Sequence, residues 1–283
     1  TFDFSEKVLS IKYNNGIYRI SALNEYTFKV TYTDSITYSD RKYAIETDKA
    51  AFSEFECMEN ACELSTSKIK IVIQINPFSI KYYNKTNGQL LCSDIGFNRS
   101  KDTTSFNFSL TESEAIYGTG ARALPQNRRG YRFQVYNQAN YGYGIGAEHL
   151  NYSIPLFLSS NRYMVLIDNP ARAWFDIGKT IKDRLKFQSI GGNMTYYFIA
   201  GDNYKDILEK YSTLAGKQPM PPIWAFGNLQ SRFGYRSQSE TENIVSKMLE
   251  AGFTMDAIII DLYWFGQHLQ DGNMGNFSRD KKY

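Results

Sequence analysis

The sequence predicts a β-rich fold in which an antiparallel β-sandwich is followed by the first βαβ unit of a parallel (β/α)8 barrel, truncated. Three observations carry this. Runs that alternate apolar and polar residues recur through the first 215 residues, as half-buried strands require. Asn and Gly punctuate these runs. The last quarter then changes to two apolar runs without strict alternation on either side of an amphipathic helical pattern, which is how strands covered on both faces read.

Within the first part, Tyr26–Thr33, Lys68–Ile75 and Ser105–Leu110 alternate and should be strands with one wet face. Asn14-Asn15-Gly16 and Asn87-Gly88 are hairpin signals, because Asn and Gly accept positive φ. Tyr163–Asp168 and Thr195–Ala200 fit further strands, and many short strands with such turns indicate two packed sheets. A helical pattern appears at Tyr204–Leu214, just before the proline-rich joint Lys217-Gln-Pro-Met-Pro-Pro222. Two domains are therefore expected, a sandwich over residues 1–216 and a barrel start over 217–283. A long loop should interrupt the sandwich, from Tyr117-Gly-Thr-Gly-Ala-Arg122 to Asn137-Gln-Ala-Asn-Tyr-Gly-Tyr-Gly144. Its glycines permit tight turns, and loops of this length also carry function; both readings stand. Gly118-Thr-Gly120 lacks the third glycine and the strand-to-helix setting of a dinucleotide fingerprint.

In the second part a strand is expected over residues 224–229. Ser237, three residues before Glu240, has the spacing of a capping box and should open a helix. Ile244, Val245, Met248 and Leu249 share one helical face, and Ala251-Gly252 supplies a stop. The second strand should run from Asp256 to Leu262, with Asp261 at its carboxyl end. Parallel barrels build their active sites at that end, so Asp261 is the carboxylate best placed for function. Residues 217–283 fall far short of the roughly 250 of a complete barrel, so the chain reads as the front of a larger enzyme.

Composition narrows the function classes. With 42% hydrophobic and 22% charged residues and a net charge of +3, the chain has ample core material and neither the charge field of a nucleic-acid binder nor that of a membrane-surface protein. No apolar run is long enough to span a bilayer. Cys57, Cys62 and Cys92 cannot all pair internally; a disulfide framework is not expected, and a Cys57–Cys62 link is left open. Aromatic residues reach 16%, with 22 Tyr and 19 Phe, which suits either a β-rich core or a sugar-stacking surface. His149 and His268 lie in no Asp/His/Cys cluster with metal-ligand spacing, so neither metal nor cofactor is expected.

Six segments in order then resemble glycoside hydrolase family 31: Tyr117-Gly-Thr-Gly120, Asn137 with the Tyr-Gly-Tyr-Gly that follows, Leu150-Asn-Tyr-Ser-Ile-Pro-Leu-Phe157, Pro221-Pro-Ile-Trp224, Gln230-Ser-Arg-Phe-Gly-Tyr235 and Ile260-Asp-Leu-Tyr-Trp-Phe265. The resemblance covers about residues 110–283 and implies a mutarotase-like N-terminal β-sandwich, a (β/α)8 barrel and further C-terminal β domains. It implies retaining hydrolysis by two aspartates on later barrel strands, beyond Tyr283, so no catalytic residue is expected here. Asp261 matches the aspartate that accepts hydrogen bonds from hydroxyls of the first-subsite sugar. Phe233 and Trp264 match positions that wall this subsite or simply pack, Arg232 could bridge barrel loops, and Asn137 sits on the sandwich loop that reaches the active site. Where members of the family often carry an acidic residue, this sequence has Ala139, which puts leaving-group recognition in doubt. The function implied is that of an α-glucosidase acting on α-linked gluco-oligosaccharides. The alternatives are an α-glucosyltransferase, an α-xylosidase or α-galactosidase, and a non-catalytic carbohydrate-binding sandwich. Partners implied are an oligosaccharide substrate and the remainder of the polypeptide, with no nucleic acid and no membrane. Export to the periplasm or medium is favoured over the cytoplasm.

Overall fold

A computed structural model describes residues 2–34, 42–45, 49–51 and 53–265. The chain divides into two compact units, Thr1–Lys217 and Gln218–Tyr283. The first is a sandwich of two antiparallel sheets, as the alternating runs predict.

One sheet has eight strands. From edge to edge these are Phe2–Ser5, Val8–Tyr13, Gly16–Ala22, Thr27–Thr33, Met194–Ala200, Tyr163–Ile167, Ser153–Ser159 and Ile116–Gly120. The other has nine: Tyr131–Val135, Ala173–Ile177, Arg184–Ser189, Thr104–Ser109, Leu90–Arg99, Phe78–Asn84, Ile69–Ile75, Ala61–Ser65 and Glu54–Cys57. Both Asn-Gly signals fall in hairpin turns, with Asn14 at φ 52° and Gly88 at φ 70°. The last strand of the unit, Met194–Ala200, pairs with Thr27–Thr33 near its start, so the sheet closes through a long-range contact.

Alternation places the aromatic residues between the sheets. Tyr18, Tyr82, Tyr163, Tyr196, Phe106 and Phe198 are among the largest fully buried side chains, so the core absorbs much of the aromatic excess. Buried tyrosine hydroxyls need partners. Tyr196 donates to Asp94 at 2.9 Å and shares a 2.8 Å hydrogen bond with Tyr82, while Tyr163 donates to Glu114 at 2.7 Å. Cys57 and Cys62 are disulfide-bonded across an edge hairpin, which settles the pairing the sequence left open. Cys92 is free and buried, and burial holds its thiol well above the ordinary range. Helix α1 (Tyr204–Ala215) is capped by the Asn203 side chain, which accepts from the Asp206 N–H. Its Ile207 and Leu214 join Leu156, Met164, Leu166 and Ile199 in a second core on the outer face of the eight-stranded sheet.

The second unit departs from expectation at its first strand. Ile223–Phe226 is a 3-10 turn, and the strand is only Leu229–Ser231. Pro221 and Pro222 cannot donate to a ladder, and the Pro222 carbonyl instead accepts from the Ala225 N–H at 3.0 Å. The second strand is also shorter than predicted, Ala257–Ile259. Asp256 is occupied in accepting the Asn228 N–H at 2.9 Å, and Asp261 turns the chain out of the sheet at φ 64°. The two strands pair in parallel, Leu229 with Ala257 and Ser231 with Ile259. Helix α2 (Gln238–Glu250) starts where Ser237 predicts, the Ser237 hydroxyl accepting the Glu240 N–H at 3.2 Å. The reciprocal bond is shifted by one residue: the Glu240 carboxylate accepts the N–H of Arg236, not that of Ser237. Among the described residues of this unit only Gly234 and Tyr235 are buried.

Asp94 yields a pH prediction. Burial lifts its carboxyl from 3.8 to about 7, against the opposing pull of the Gly96 N–H and the Tyr196 hydroxyl. The folded state therefore holds a proton that the unfolded chain has already lost, and stability falls as pH rises from about 4 to about 7. Asp94→Asn should flatten this slope, which for one group is at most ~1.4 kcal/mol per pH unit. Urea unfolding at pH 5 and pH 7 reads the difference; the same slope in both proteins would rule out Asp94 as its source.

Candidate substrate-binding site

The carboxyl ends of the two parallel strands lead into Arg232-Phe233-Gly234 and Ile260-Asp261-Leu262. These segments are joined by the Tyr235 N–H, which donates to the Ile260 carbonyl at 3.3 Å. Asp261 is partly buried, and among the described residues nothing hydrogen-bonds or ion-pairs with its carboxylate. Its φ of 64° is a left-handed conformation that Asp and Asn tolerate better than other side chains. A turn of 3-10 helix, Tyr263–Phe265, follows.

Two residues that the sequence passes over hold this geometry. Gly234 has φ 75°, and a Cβ there would lie 2.1 Å from the Tyr263 ring. Tyr263 thus rests on bare backbone, with the Phe233 ring edge-on to it at 6.1 Å and the Arg236 guanidinium 4.9 Å from its centroid. Phe233 is 66% exposed. Trp264 lies against Phe265 at 4.1 Å. Arg232 is tied locally: it donates to the Gly234 carbonyl, pairs with Glu240 and lies 4.7 Å over the Tyr235 ring. The structure thus brings Phe233, Asp261 and Trp264 to one end of the strand pair. The signal for Gly234 was its place after a strand's carboxyl end.

Asn137 belongs to the other unit, where its side chain accepts the Ser153 N–H at 2.6 Å. The region read as one long loop begins in the strand Ile116–Gly120 and contains the strand Tyr131–Val135, whose alternation was hidden by its Gly- and Asn-rich surroundings. What remains of the loop is pinned by arginines. Arg122 is buried and donates to the Thr119 hydroxyl at 3.2 Å, the Thr119 carbonyl at 3.0 Å, the Ser153 hydroxyl at 3.2 Å and the Glu148 carbonyl. Burial, reinforced by nearby Arg128, lowers its guanidinium to about 10, and Glu148 opposes this. Arg128 donates to the carbonyls of Leu124 and Pro125 at 2.8 and 2.6 Å. Gly120 completes the frame, since a Cβ there would lie 2.5 Å from the Tyr152 carbonyl. The exposed tip carries Tyr141, Tyr143 and Ile145. His149 is a loop residue with a ring nitrogen 3.1 Å from the Gln138 carbonyl, and His268 lies outside the described residues. Among the described residues no group of three or more His, Cys, Asp or Glu side chains could hold a metal ion, and no helix is long and apolar enough to cross a membrane.

An antiparallel sandwich with an arginine-pinned loop, followed by a parallel strand–helix–strand unit with Phe233, Asp261 and Trp264 on the segments that leave its strand ends, defines a sandwich joined to the start of a parallel α/β barrel. Comparison with known proteins agrees. Residues 17–176 match the glycosyl hydrolase 31 N-terminal galactose mutarotase-like domain, and residues 218–283 match the glycosyl hydrolases family 31 TIM-barrel domain. The chain belongs to glycoside hydrolase family 31. It is 28% identical over 275 residues to alpha-glucosidase 2 of Bacillus thermoamyloliquefaciens, covering 93% of this chain and 34% of that protein. It is 33% identical over 158 residues to the alpha-xylosidase XylQ of Lactiplantibacillus pentosus, covering 55% of this chain and 20% of that protein. A family 31 dextranase from Flavobacterium johnsoniae, solved with isomaltotriose, superimposes with a TM-score of 0.87 at 26% identity, over 96% of this chain and 34% of that one. The chain thus spans about a third of the length of the alpha-glucosidase and the dextranase.

Two substitutions test this construction. Gly234→Ala adds a methyl where Tyr263 sits and imposes a left-handed penalty of roughly 1–2 kcal/mol; activity of the full-length protein should fall, with a smaller change in its melting temperature. Arg122→Met keeps the stem but leaves buried carbonyls without donors, and should cost about 2–4 kcal/mol of stability. Thermal unfolding at wild-type temperature would show that the guanidinium does not hold the loop.

Proposed function

We propose that the protein containing this chain is a retaining α-glycosidase, an α-glucosidase acting on α-linked gluco-oligosaccharides, and that Asp261 binds its first-subsite sugar. The observation that carries this is Asp261 at the carboxyl end of a parallel strand, its carboxylate without a hydrogen-bond or ion-pair partner among the described residues, with Phe233 and Trp264 on the segments that leave the strand ends. A carboxylate there accepts charge-assisted hydrogen bonds from sugar hydroxyls and rejects analogues lacking them. The aromatic rings stack on the C–H faces of the sugar. Likeness to an alpha-glucosidase and to a dextranase solved with isomaltotriose supports an α-linked glucose oligomer as substrate. Retention of configuration needs two carboxylates about 5 Å apart, one the nucleophile and one the acid/base. We place both in barrel strands outside this chain, so Asp261 positions the sugar and does not react.

An α-xylosidase is the second reading, favoured by the 33% identity to XylQ. The two sugars differ by one hydroxymethyl group. Comparison of kcat/KM on aryl α-glucoside and aryl α-xyloside by the full-length protein decides between them.

Asp261→Asn in the full-length protein tests the site. The amide tolerates the same positive φ and has nearly the same volume, so the melting temperature should stay. Loss of a charge-assisted bond that strengthens in the transition state should lower kcat/KM by roughly 30- to 1000-fold, or about 2–4 kcal/mol. Near-normal kcat/KM, or a large drop in melting temperature, would make Asp261 peripheral or structural. The isolated 283-residue chain should hydrolyse no α-glucoside above background. With Ile223, Phe226, Phe253 and Ile259 exposed, it should also associate in light scattering. Turnover by the purified fragment would refute the assignment of both reacting carboxylates to barrel strands outside it.

A further inference from the structure

The two sheets treat their outer faces differently. The eight-stranded sheet is covered by α1, whereas the strands at one end of the nine-stranded sheet turn a row of polar side chains outward. Side chains at i and i+2 share a face. Register therefore aligns Gln134, Trp174, Gln188 and Ser105 in one row, and Arg132, Asp176, Lys186 and Asn107 in the next. Trp174 and Gln188 of the first row and the four residues of the second line a cleft of about 240 Å³ together with Ile181.

Charge in this cleft is unbalanced. Asp176 is its one carboxylate, and that group is occupied by the N–H groups of Lys179 and Thr180, both at 3.1 Å, and by the Thr180 hydroxyl. Among the described residues Arg132 alone forms an ion pair with it, at 3.9 Å. Arg184 and Lys186 are partly buried on the same face of one strand, and among the described residues neither side-chain cation has a hydrogen-bond or ion-pair partner. Three cations against one carboxylate leave the cleft with a net positive charge, which favours an anion beside the two that form no ion pair. The neighbouring groups suit a sugar. Trp174 offers a ring, held by the Arg172 guanidinium 5.5 Å from its centroid, and Arg172 is itself anchored on Gln134 at 3.0 Å. Asn107 and Gln188 donate their amide N–H groups to Gly96 and Thr103, which leaves their carbonyl oxygens to accept from hydroxyls.

We propose that this cleft is a second, non-catalytic site for an acidic sugar, its ring against Trp174 and Ile181 and its carboxylate or sulfate between Arg184 and Lys186. The site lies wholly on the sandwich and does not depend on which glycoside the enzyme cleaves.

Isothermal titration of the full-length protein with a glucuronate-bearing oligosaccharide, a sulfated oligosaccharide, isomaltotriose and sodium sulfate tests it. The difference between wild type and the double variant Arg184→Gln, Lys186→Gln isolates this cleft from any other sugar site. One of the two acidic oligosaccharides should bind, the one preferred identifying the anionic group, and the double variant should weaken it about tenfold or more. Raised salt should weaken it too, while kcat/KM on an aryl α-glucoside stays unchanged. Three outcomes would overturn the proposal: neither acidic oligosaccharide loses affinity in the double variant, isomaltotriose loses as much as they do, or sulfate alone matches their affinity and so leaves the ring no role.

Discussion

The sandwich is organised around a carboxylate that water does not reach. Asp94 is fully buried between the sheets, where an unsatisfied polar group would be costly. One oxygen accepts the Gly96 N–H at 2.7 Å, next to a β-bulge in the pairing with Thr104–Ser109; the other accepts the Tyr196 hydroxyl from the opposite sheet. Because Tyr196 also bonds Tyr82, the network ties the two sheets at a single relative position. A one-residue slip of Met194–Ala200 would turn Tyr196 outward and leave Asp94 without this partner.

Aromatic packing carries that constraint towards the loop. Tyr196 meets Phe108 edge-on at 5.3 Å, Phe108 meets Phe157 at 5.5 Å, Phe157 meets Phe175 at 6.0 Å and Phe175 meets Phe133 at 6.2 Å. The Arg122 guanidinium then sits 3.9 Å over the Phe133 ring while its N–H groups hold the loop backbone. The loop that carries Asn137 is therefore fixed from beneath by the same core that buries Asp94. Edge-to-face contacts suit this purpose, since each prefers a defined angle as well as a distance.

Period-2 patterning made the sandwich legible, because water on one face and core on the other leave an alternating trace. Tyr131–Val135 was hidden among loop residues, and Trp224–Phe226 read as strand because its apolar composition carries no mark of the prolines' effect on the backbone. The disulfide and the arginine clamps were not legible, because both depend on which chain segments meet. At the proposed sugar site, the position of Asp261 followed from where a strand ends, but the dependence of Tyr263 on Gly234 is a contact across two loops. The cleft proposed for an acidic sugar is likewise a product of register: Arg184 and Lys186 look like an ordinary solvated face until Asp176 is seen to hold Lys179 and Thr180.

The choice of aspartate at position 261 has a physical reason of its own. The strand must stop there so that the following turn can carry Tyr263 onto Gly234, and the stop is made by a left-handed residue. Glycine would take that backbone most readily but offers the sugar nothing. Asparagine would take it but accept hydrogen bonds more weakly than a charged oxygen. Glutamate has the charge, yet it lacks the short polar side chain that eases the left-handed conformation, and its extra methylene would carry the carboxylate further from the strand end. Aspartate alone among the common residues supplies both the turn and the anion, so the requirements of the fold and of the proposed sugar contact coincide on one side chain.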